Sequence, residues 1–465
     1  MSFRPLGIFL PEGDRVGVLF QYTLANDAVT TRFVADEEFI KRKDQPTLSY
    51  LFLADSEEDQ EALWRDIRST PLNGRYSEKN GWLLPAFFQN LLPEGVFRDR
   101  VAELRGCDPK DHFEMLGACG KDLPGAVYAK PIEVSQEELW NYVAERNDSL
   151  EVSVVPEPLD EGVSLSGVQP KVGVSLLNGR YVARTKTDGT HIIAKLPVVG
   201  QPFLPEIEEL SLRLAQAAGV TTCRATLQPL ELLEVEHGYD LGDADAKTQF
   251  LAVERFDRTP THRIHCEDFA QVLGVMPEDK YGAFDGVNRT SYLDIAAVLM
   301  TFESLGEAAV HELLRRLVVN EMLGNPDMHL KNIGLLYADG RFPTLSPAYD
   351  IVGYAAFQKT TGHALQLLPK ELFPVKELVA QGQPRKVQRM SPAVVRAFCG
   401  ALGIVEAPAV AAVRDAVKGA YAAWPSLIEQ SSVTKTQKER LLAWFARHPM
   451  IESLERRATK AASAR

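Results

Sequence analysis

GNPDMHLKNIGLLY, residues 324–337, decides how the rest of this 465-residue chain is read. It sets Asp327 five residues before Asn332 and follows both with a short apolar run fit for a strand. An Asp and an Asn on one tight loop divide two jobs that phosphoryl transfer requires. A carboxylate orients the attacking hydroxyl and accepts its proton, and an oxygen ligand holds Mg²⁺ against the phosphates. A second carboxylate must reach the same metal from a neighbouring strand. Asp350, in LSPAYDIV (345–352), lies 18 residues beyond Asn332, far enough for a hairpin to return it to the loop. Taken alone, an Asp and an Asn at this spacing are common, and a turn or capping aspartate explains them. His329 and Lys331 alongside, with Asp350 downstream, turn the reading towards chemistry. His329 reads as a hydrogen-bonding residue or nucleotide neighbour, because Mg²⁺ prefers oxygen and no second histidine is placed to share a zinc.

Upstream, Lys195 in HIIAKLP (191–197) is the candidate for gripping phosphates. A lysine on an apolar strand is costly to bury unpaired. Glu208, on the helix PEIEELSLRLAQAAG (205–219), is its candidate partner; Pro205 opens that helix and Gly219 follows its end. The same alternation also fits a Lys195 that faces water. SLSGVQPK (164–171) offers hydroxyls, amides and a charge from Ser164, Ser166, Gly167, Gln169 and Lys171. Backbone N–H groups in such a turn bind anions. One glycine in a polar loop is a weak signal that an ordinary β-turn also explains, and the pattern is neither a Walker A nor a GxGxxG motif. VERFDR (253–258) ends a strand, and Glu254 and Phe256 are candidates to face adenine at a hinge between lobes. The competing reading is an edge strand with a surface ion pair from Arg255 or Arg258.

These motifs sit in an ordered pattern. Strand-like VGVLFQY (16–22) and TRFVADEEF (31–39) open the chain, residues 82–105 are helical with a Pro-Glu-Gly break, and GACGKDLPGAVYA (117–129) reads as a Gly-rich connector into a strand. A second unit begins near Val163. NGR (178–180) and DG (188–189) mark hairpin turns, and strands are expected over 226–233 and 249–258. From about residue 290 apolar residues recur every three or four positions, short strands flank a turn over 333–352, and residues 390–448 return to helices. The expected fold class is α+β: a two-lobed protein-kinase-like fold with a β-rich N-terminal subdomain and a largely helical C-terminal lobe. The expected divisions are 1–130, a connecting region 131–162, a nucleotide-binding lobe 163–258 and a helical catalytic lobe 259–465.

Composition narrows the classes. With 45% hydrophobic and 25% charged residues this is a globular chain. A net charge of −12 repels nucleic acid, leaving only the tail around Arg456, Arg457, Lys460 and Arg465 as a small basic patch, read here as a frayed terminus. Five scattered cysteines without a CxxC pair argue against disulfides or zinc and fit a reducing, cytoplasmic setting. The first residues show no signal peptide, and the apolar stretch near 393–413 is too interrupted to span a bilayer, so no membrane is expected.

Taken in order, LPAFFQNLLPEG (84–95), GACGKDLPGAV, SLSGVQPK, HIIAKLP, VERFDR, HCEDFAQVLGVMPEDKY (265–281), GNPDMHLKN and LSPAYD resemble the HipA family of bacterial toxin kinases. The resemblance implies an ATP- and Mg²⁺-dependent serine/threonine protein kinase with Asp327 as proton acceptor and Asn332 and Asp350 on Mg²⁺. It further implies ATP contacts from Ser166, Gly167, Val168, Gln169, Pro170 and Lys171, from Lys195, from Glu254, Arg255 and Phe256, from His329, Leu330, Lys331 and Asn332, and from Tyr349 and Asp350. It implies autophosphorylation of a loop serine, matched here by Ser164, and a protein substrate, with glutamyl-tRNA synthetase a known target class. It also implies a HipB-like helix-turn-helix antitoxin as partner, with DNA reached only through that antitoxin. Residues 379–465 carry nothing over. Two other readings stand beside it: a small-molecule phosphotransferase of the aminoglycoside- or choline-kinase type, and an inactive kinase-like corepressor.

Overall fold

The computed structural model describes residues 2–11, 15–23, 29–135, 137–139, 151–152, 155–159, 163–165, 167, 169–183, 190–284, 287–288, 290–358, 360, 362–374 and 388–463. The first unit is built on a sheet in which Ser2–Phe9 pairs antiparallel with Arg15–Thr23, and that strand with Val29–Ala35. The other edge of Ser2–Phe9 takes Tyr128–Pro131 antiparallel and Glu151–Val152 parallel. Alternation along these strands aims Leu6, Ile8, Leu19 and Phe33 at one face, where Phe52, Phe87, Phe88 and Phe113 close a core. The strand expected to run through residue 39 stops at Ala35, and Glu37–Ile40 forms a helical turn. Two glutamates in a first turn favour that change. Gly117–Cys119, expected in a connector, instead end the helix His112–Cys119. Part of the expected connecting region also returns to this unit, since Glu151–Val152 joins its sheet and Val155 its core.

The second sheet has six strands in the order 225–229, 249–254, 192–195, 171–177, 180–182 and 233–234. Asn178 and Gly179 both take positive φ, 51° and 78°, as a two-residue hairpin turn requires. The Asp-Gly pair at 188–189 lies outside the described residues. Gln249–Glu254 is an interior strand and not the edge strand of the competing reading. The strand expected over 226–233 breaks at Pro229 into the short 3₁₀ turn Leu230–Leu232. The helix Leu204–Ala217 packs Ile207, Leu210 and Leu214 inward and is stopped by Gly219 at φ 83°.

The third part is mostly helical: Tyr292–Thr301, Gly306–Leu323, Pro392–Leu402, Glu406–Gln430, Lys435–Ala446 and Pro449–Ser463. A small antiparallel sheet of His265–Asp268, Gly334–Tyr337 and Thr344–Leu345 lies beside these helices; the expected strand over 344–352 is only its first two residues. The tail read as frayed is helical through Ser463, with Arg456 and Arg457 on its exposed side. Among the described residues no helix is long and apolar enough to cross a membrane. The α+β, two-lobed arrangement expected from the sequence is thus present, with the first unit set against both lobes.

Candidate active site

The loop that carries Asp327 begins where a helix is forced to end. Gly306–Leu323 runs into Gly324, whose φ of 65° suits glycine, and a Cβ there would meet Thr360 Oγ1 at 2.7 Å. The Asn325 N–H closes back on Asn320 O at 2.8 Å. Buried Asn325 then anchors the turn: its Nδ2 donates to Asn320 Oδ1 at 2.7 Å and its Oδ1 accepts the Asp327 N–H at 3.0 Å. From the far side, Asn332 Nδ2 donates to Asp327 O at 2.8 Å. Asn332 thus spends its amide nitrogen on the loop, leaving its Oδ1 for a cation. The Asp327 carboxylate is partly exposed, and its Oδ1 accepts the Tyr281 hydroxyl at 2.6 Å. His329 is buried with its ring edge-on to Tyr281, centroids 5.0 Å apart, and burial lowers its pKa to about 4, so it is neutral.

Asp350 lies across from this loop. Its backbone is left-handed, φ 52°, a conformation uncommon outside glycine that concentrates at functional sites. Its carboxylate accepts from Lys195, which also donates to Glu208. Lys195 lies directly opposite Lys171 across the sheet, and both are buried. Burial alone would discharge Lys195, but Asp350 and then Glu208 outweigh it and raise its pKa. Burial also opposes the Asp350 carboxylate, yet Lys195 and Lys171 hold its pKa down at about 2. Glu208 carries the cost: burial raises its pKa despite Lys195, and its Oε2 has no partner among the described residues. Tyr349 and Lys331, the chain neighbours of Asp350 and Asn332, are hydrogen-bonded, which brings the two segments together.

A cleft opens beside Asp350, walled by Ile193, Val253, Leu335, Phe256 and Tyr349 and floored by Lys171 and Lys195. Phe256 and Tyr349 face each other at 5.5 Å, and the Tyr349 hydroxyl ties to Lys331 O at 2.9 Å. Gly167 arches over Lys171; at its φ of 92° an added Cβ would lie 2.8 Å from the Lys171 ammonium. Gln169 and Pro170 continue this loop, and Ser166 and Val168 lie outside the described residues. Glu254 lines the cleft but its carboxylate is exposed, 3.8 Å from Arg224.

Ser164, Arg255 and Lys331 also line this cleft, and their side chains bond to other parts of the fold. Arg255 is buried and bonded to Asp257 and Asp122, not to a surface acid; Arg258 joins the same two carboxylates. Its guanidinium therefore ties the GACGKDLPGAV segment of the first unit to the kinase lobes. Leu330 is fully buried in the helical core. Lys331 sends its ammonium to Asn90 O at 2.9 Å and Asn90 Oδ1 at 3.2 Å, with Asp268 at 3.4 Å and Glu94 at 3.5 Å. Ser164 is buried with its hydroxyl on Leu91 O. Sequence reasoning assigned no role to Tyr281, Lys280, Asn90 or Glu94, although all four lie in segments that carry the family resemblance.

The donor set suits Mg²⁺ with nucleotide. Among the described residues no three His, Cys, Asp or Glu side chains gather as a preformed metal cage. Mg²⁺ is commonly held by one or two carboxylates with the remaining oxygens from phosphates and water, which is what Asp350 and the Asn332 oxygen provide.

Comparison with known proteins identifies the family and the fold. The model of the HipA-like C-terminal domain matches residues 163–424, and that of the HipA N-terminal domain matches residues 8–130. A protein of Sinorhizobium fredii with the name "Putative kinase Y4dM" is 35% identical over 69% of this chain and 71% of its own length. The serine/threonine-protein kinase toxin HipA of Shewanella oneidensis is 25% identical over 62% of this chain and 66% of its own. A solved structure of the Shewanella oneidensis complex of HipA, HipB and operator DNA superposes with a TM-score of 0.60 at 19% identity, covering 95% of this chain and 97% of that one. That likeness establishes the two-lobed kinase-like fold.

Proposed function

The chain belongs to the HipA family of kinase-like phosphotransferases, and on that footing we propose that it transfers the γ-phosphate of ATP to a serine or threonine of a protein. The observation that carries the reading is the meeting of Lys195, Glu208 and Asp350 at the cleft with the Asp327–Asn332 loop beside them. ATP lies in the cleft, with Phe256 and Tyr349 offering aromatic surface and Lys171 and Lys195 facing the phosphates. Mg²⁺, when bound, neutralises phosphate charge, and Asp350 and Asn332 are the residues that hold it. Asp327 orients the acceptor hydroxyl. The acceptor oxygen bonds to phosphorus as the bond to ADP breaks, ADP leaves with that electron pair, and the hydroxyl proton passes to Asp327. Positioning and fixed charge supply most of the acceleration in such a reaction.

The toxin role, a HipB-like antitoxin partner and self-phosphorylation at Ser164 belong to the same proposal, supported by the family and by the names of the relatives. Phosphate on Ser164 would add about −1.5 to −2 charges where its hydroxyl now meets Leu91 O, and would expel the loop. The decisive experiment incubates the full chain and Asp327→Asn with γ-labelled ATP and Mg²⁺. Wild type is expected to transfer label to protein, and Asp327→Asn to lose about a hundredfold or more in rate while still binding ATP. Equal transfer by the variant removes Asp327 from its role. Label passing only to small alcohols or amines would favour the small-molecule phosphotransferase.

A further inference from the structure

Tyr281 has no part in the mechanism above, yet its hydroxyl is the one side-chain group bonded to the Asp327 carboxylate among the described residues, at 2.6 Å. A hydroxyl that close to a carboxylate makes a charge-assisted hydrogen bond, stronger than one between neutral groups. It occupies Oδ1 and leaves Oδ2 without a bond from any described residue. A carboxylate on a partly exposed loop otherwise rotates about its last bond. One fixed oxygen sets the direction in which the other faces.

The segment that carries Tyr281 is itself pinned. The Leu330 N–H donates to Lys280 O at 3.1 Å, joining the tyrosine's segment to the catalytic loop through the backbone. Lys280 Nζ meets Glu94 Oε2 at 2.8 Å. Gly282 follows at φ 74°, where a Cβ would lie 2.6 Å from Thr290 O, so the chain turns sharply just after the tyrosine. The ring of Tyr281 packs edge-on against His329. Glu94 belongs to the first unit, and it also lies 3.5 Å from Lys331 on the catalytic loop.

We propose that Tyr281 is a positioning residue that holds one oxygen of Asp327 so that the other faces the acceptor hydroxyl, and that Glu94 of the first unit fixes Tyr281 through Lys280. This deepens the kinase reading and rests on it. It gives the first unit a direct part in catalysis, reaching the proton acceptor through Glu94, Lys280 and Tyr281.

The test uses the full chain with γ-labelled ATP and Mg²⁺, dephosphorylated casein as acceptor, and label on the chain itself as a second readout. Tyr281→Phe keeps the ring against His329 and removes only the hydroxyl. Its kcat is expected to fall about tenfold while KM for ATP and the thermal midpoint stay unchanged, the pattern of lost positioning and not of lost structure. Glu94→Gln is expected to lower kcat in the same direction by a smaller factor. An unchanged kcat in Tyr281→Phe overturns the proposal. So does a raised kcat, which would make the tyrosine a plug that the acceptor displaces. If Tyr281→Phe loses its fold, Glu94→Gln decides, and an unchanged kcat there overturns the proposal. Absence of transfer by the wild type to casein and to itself sinks the kinase reading instead, which separates the two failures.

Discussion

Lys195 and Lys331 are both buried lysines on segments that the sequence assigned to the nucleotide, and the structure gives them different work. Lys195 stands between two carboxylates at the cleft, Glu208 from a helix of its own lobe and Asp350 from the opposite lobe. With Lys171 opposite Lys195 on the neighbouring strand, two ammonium groups face these two carboxylates. Lys331 lines the same cleft, and its ammonium bonds to a neutral amide and carbonyl of Asn90, with Glu94 and Asp268 slightly farther off. It fastens the catalytic loop to the first unit. A buried lysine beside a catalytic loop is therefore not by itself a phosphate ligand; what its ammonium faces decides.

The comparison can be broken from either side. The largest effect is expected at Lys195. Lys195→Met should lower phosphate transfer by about a hundredfold or more, because a fixed charge aimed at the phosphates is lost. Steady-state rates on the full chain check this, and a loss under threefold would make Lys195 a structural cation only. Lys331→Met should act on folding instead. It leaves Asp268 without its cation and Glu94 with Lys280 alone, a loss of about 3 kcal/mol in urea unfolding. ATP affinity should be nearly unchanged in the fraction that remains folded. If Lys331→Met weakens ATP binding more than stability, the two lysines are not distinct.

The smallest effect is a pH dependence on the same scaffold. His265 joins the first unit to the kinase lobes through Leu48 O at 2.8 Å, and His112 is buried within the first unit. Burial lowers both pKa values to about 4. In the unfolded chain each histidine binds its proton below about pH 6.5. Between about 6.5 and 4 the unfolded chain therefore binds more protons, so stability is full above that window and declines as pH falls through it. Urea midpoints at pH 7 and 5 should differ more in the wild type than in His265→Asn. Equal differences would remove His265 from this effect.

Much of this architecture was legible in the sequence. The helix ending at Gly219, the Asn-Gly hairpin at 178–179 and the helical periodicity after residue 290 are local signals, and the structure follows them. The pairing of Lys195 with Glu208 could be anticipated because a buried lysine must find an acid; its second partner Asp350, assigned from the sequence to the metal, could not. Other features were not legible, and the reason is physical. Whether Lys331 faces ATP or Asn90, 241 residues away, depends on how the first unit docks, which no local pattern encodes. Arg255 looked like a surface residue because Asp122 is its partner from a distant segment. The strand through residue 39 failed because propensity yielded to an acidic helix start at Glu37 and Glu38. Tyr281 was hidden because a tyrosine near a Pro-Glu-Asp-Lys turn carries no signal of the carboxylate it meets.

Most directly at stake is whether Asp350 and Asn332 assemble one magnesium–nucleotide site with the lysines behind them. Calorimetric titration of a non-hydrolysable ATP analogue, with and without Mg²⁺, into the wild type and Asp350→Ala reads that out. Tight binding that requires Mg²⁺ in the wild type, and no gain from Mg²⁺ in Asp350→Ala, is the predicted result. Equal affinity of the two proteins in the presence of Mg²⁺ would contradict it.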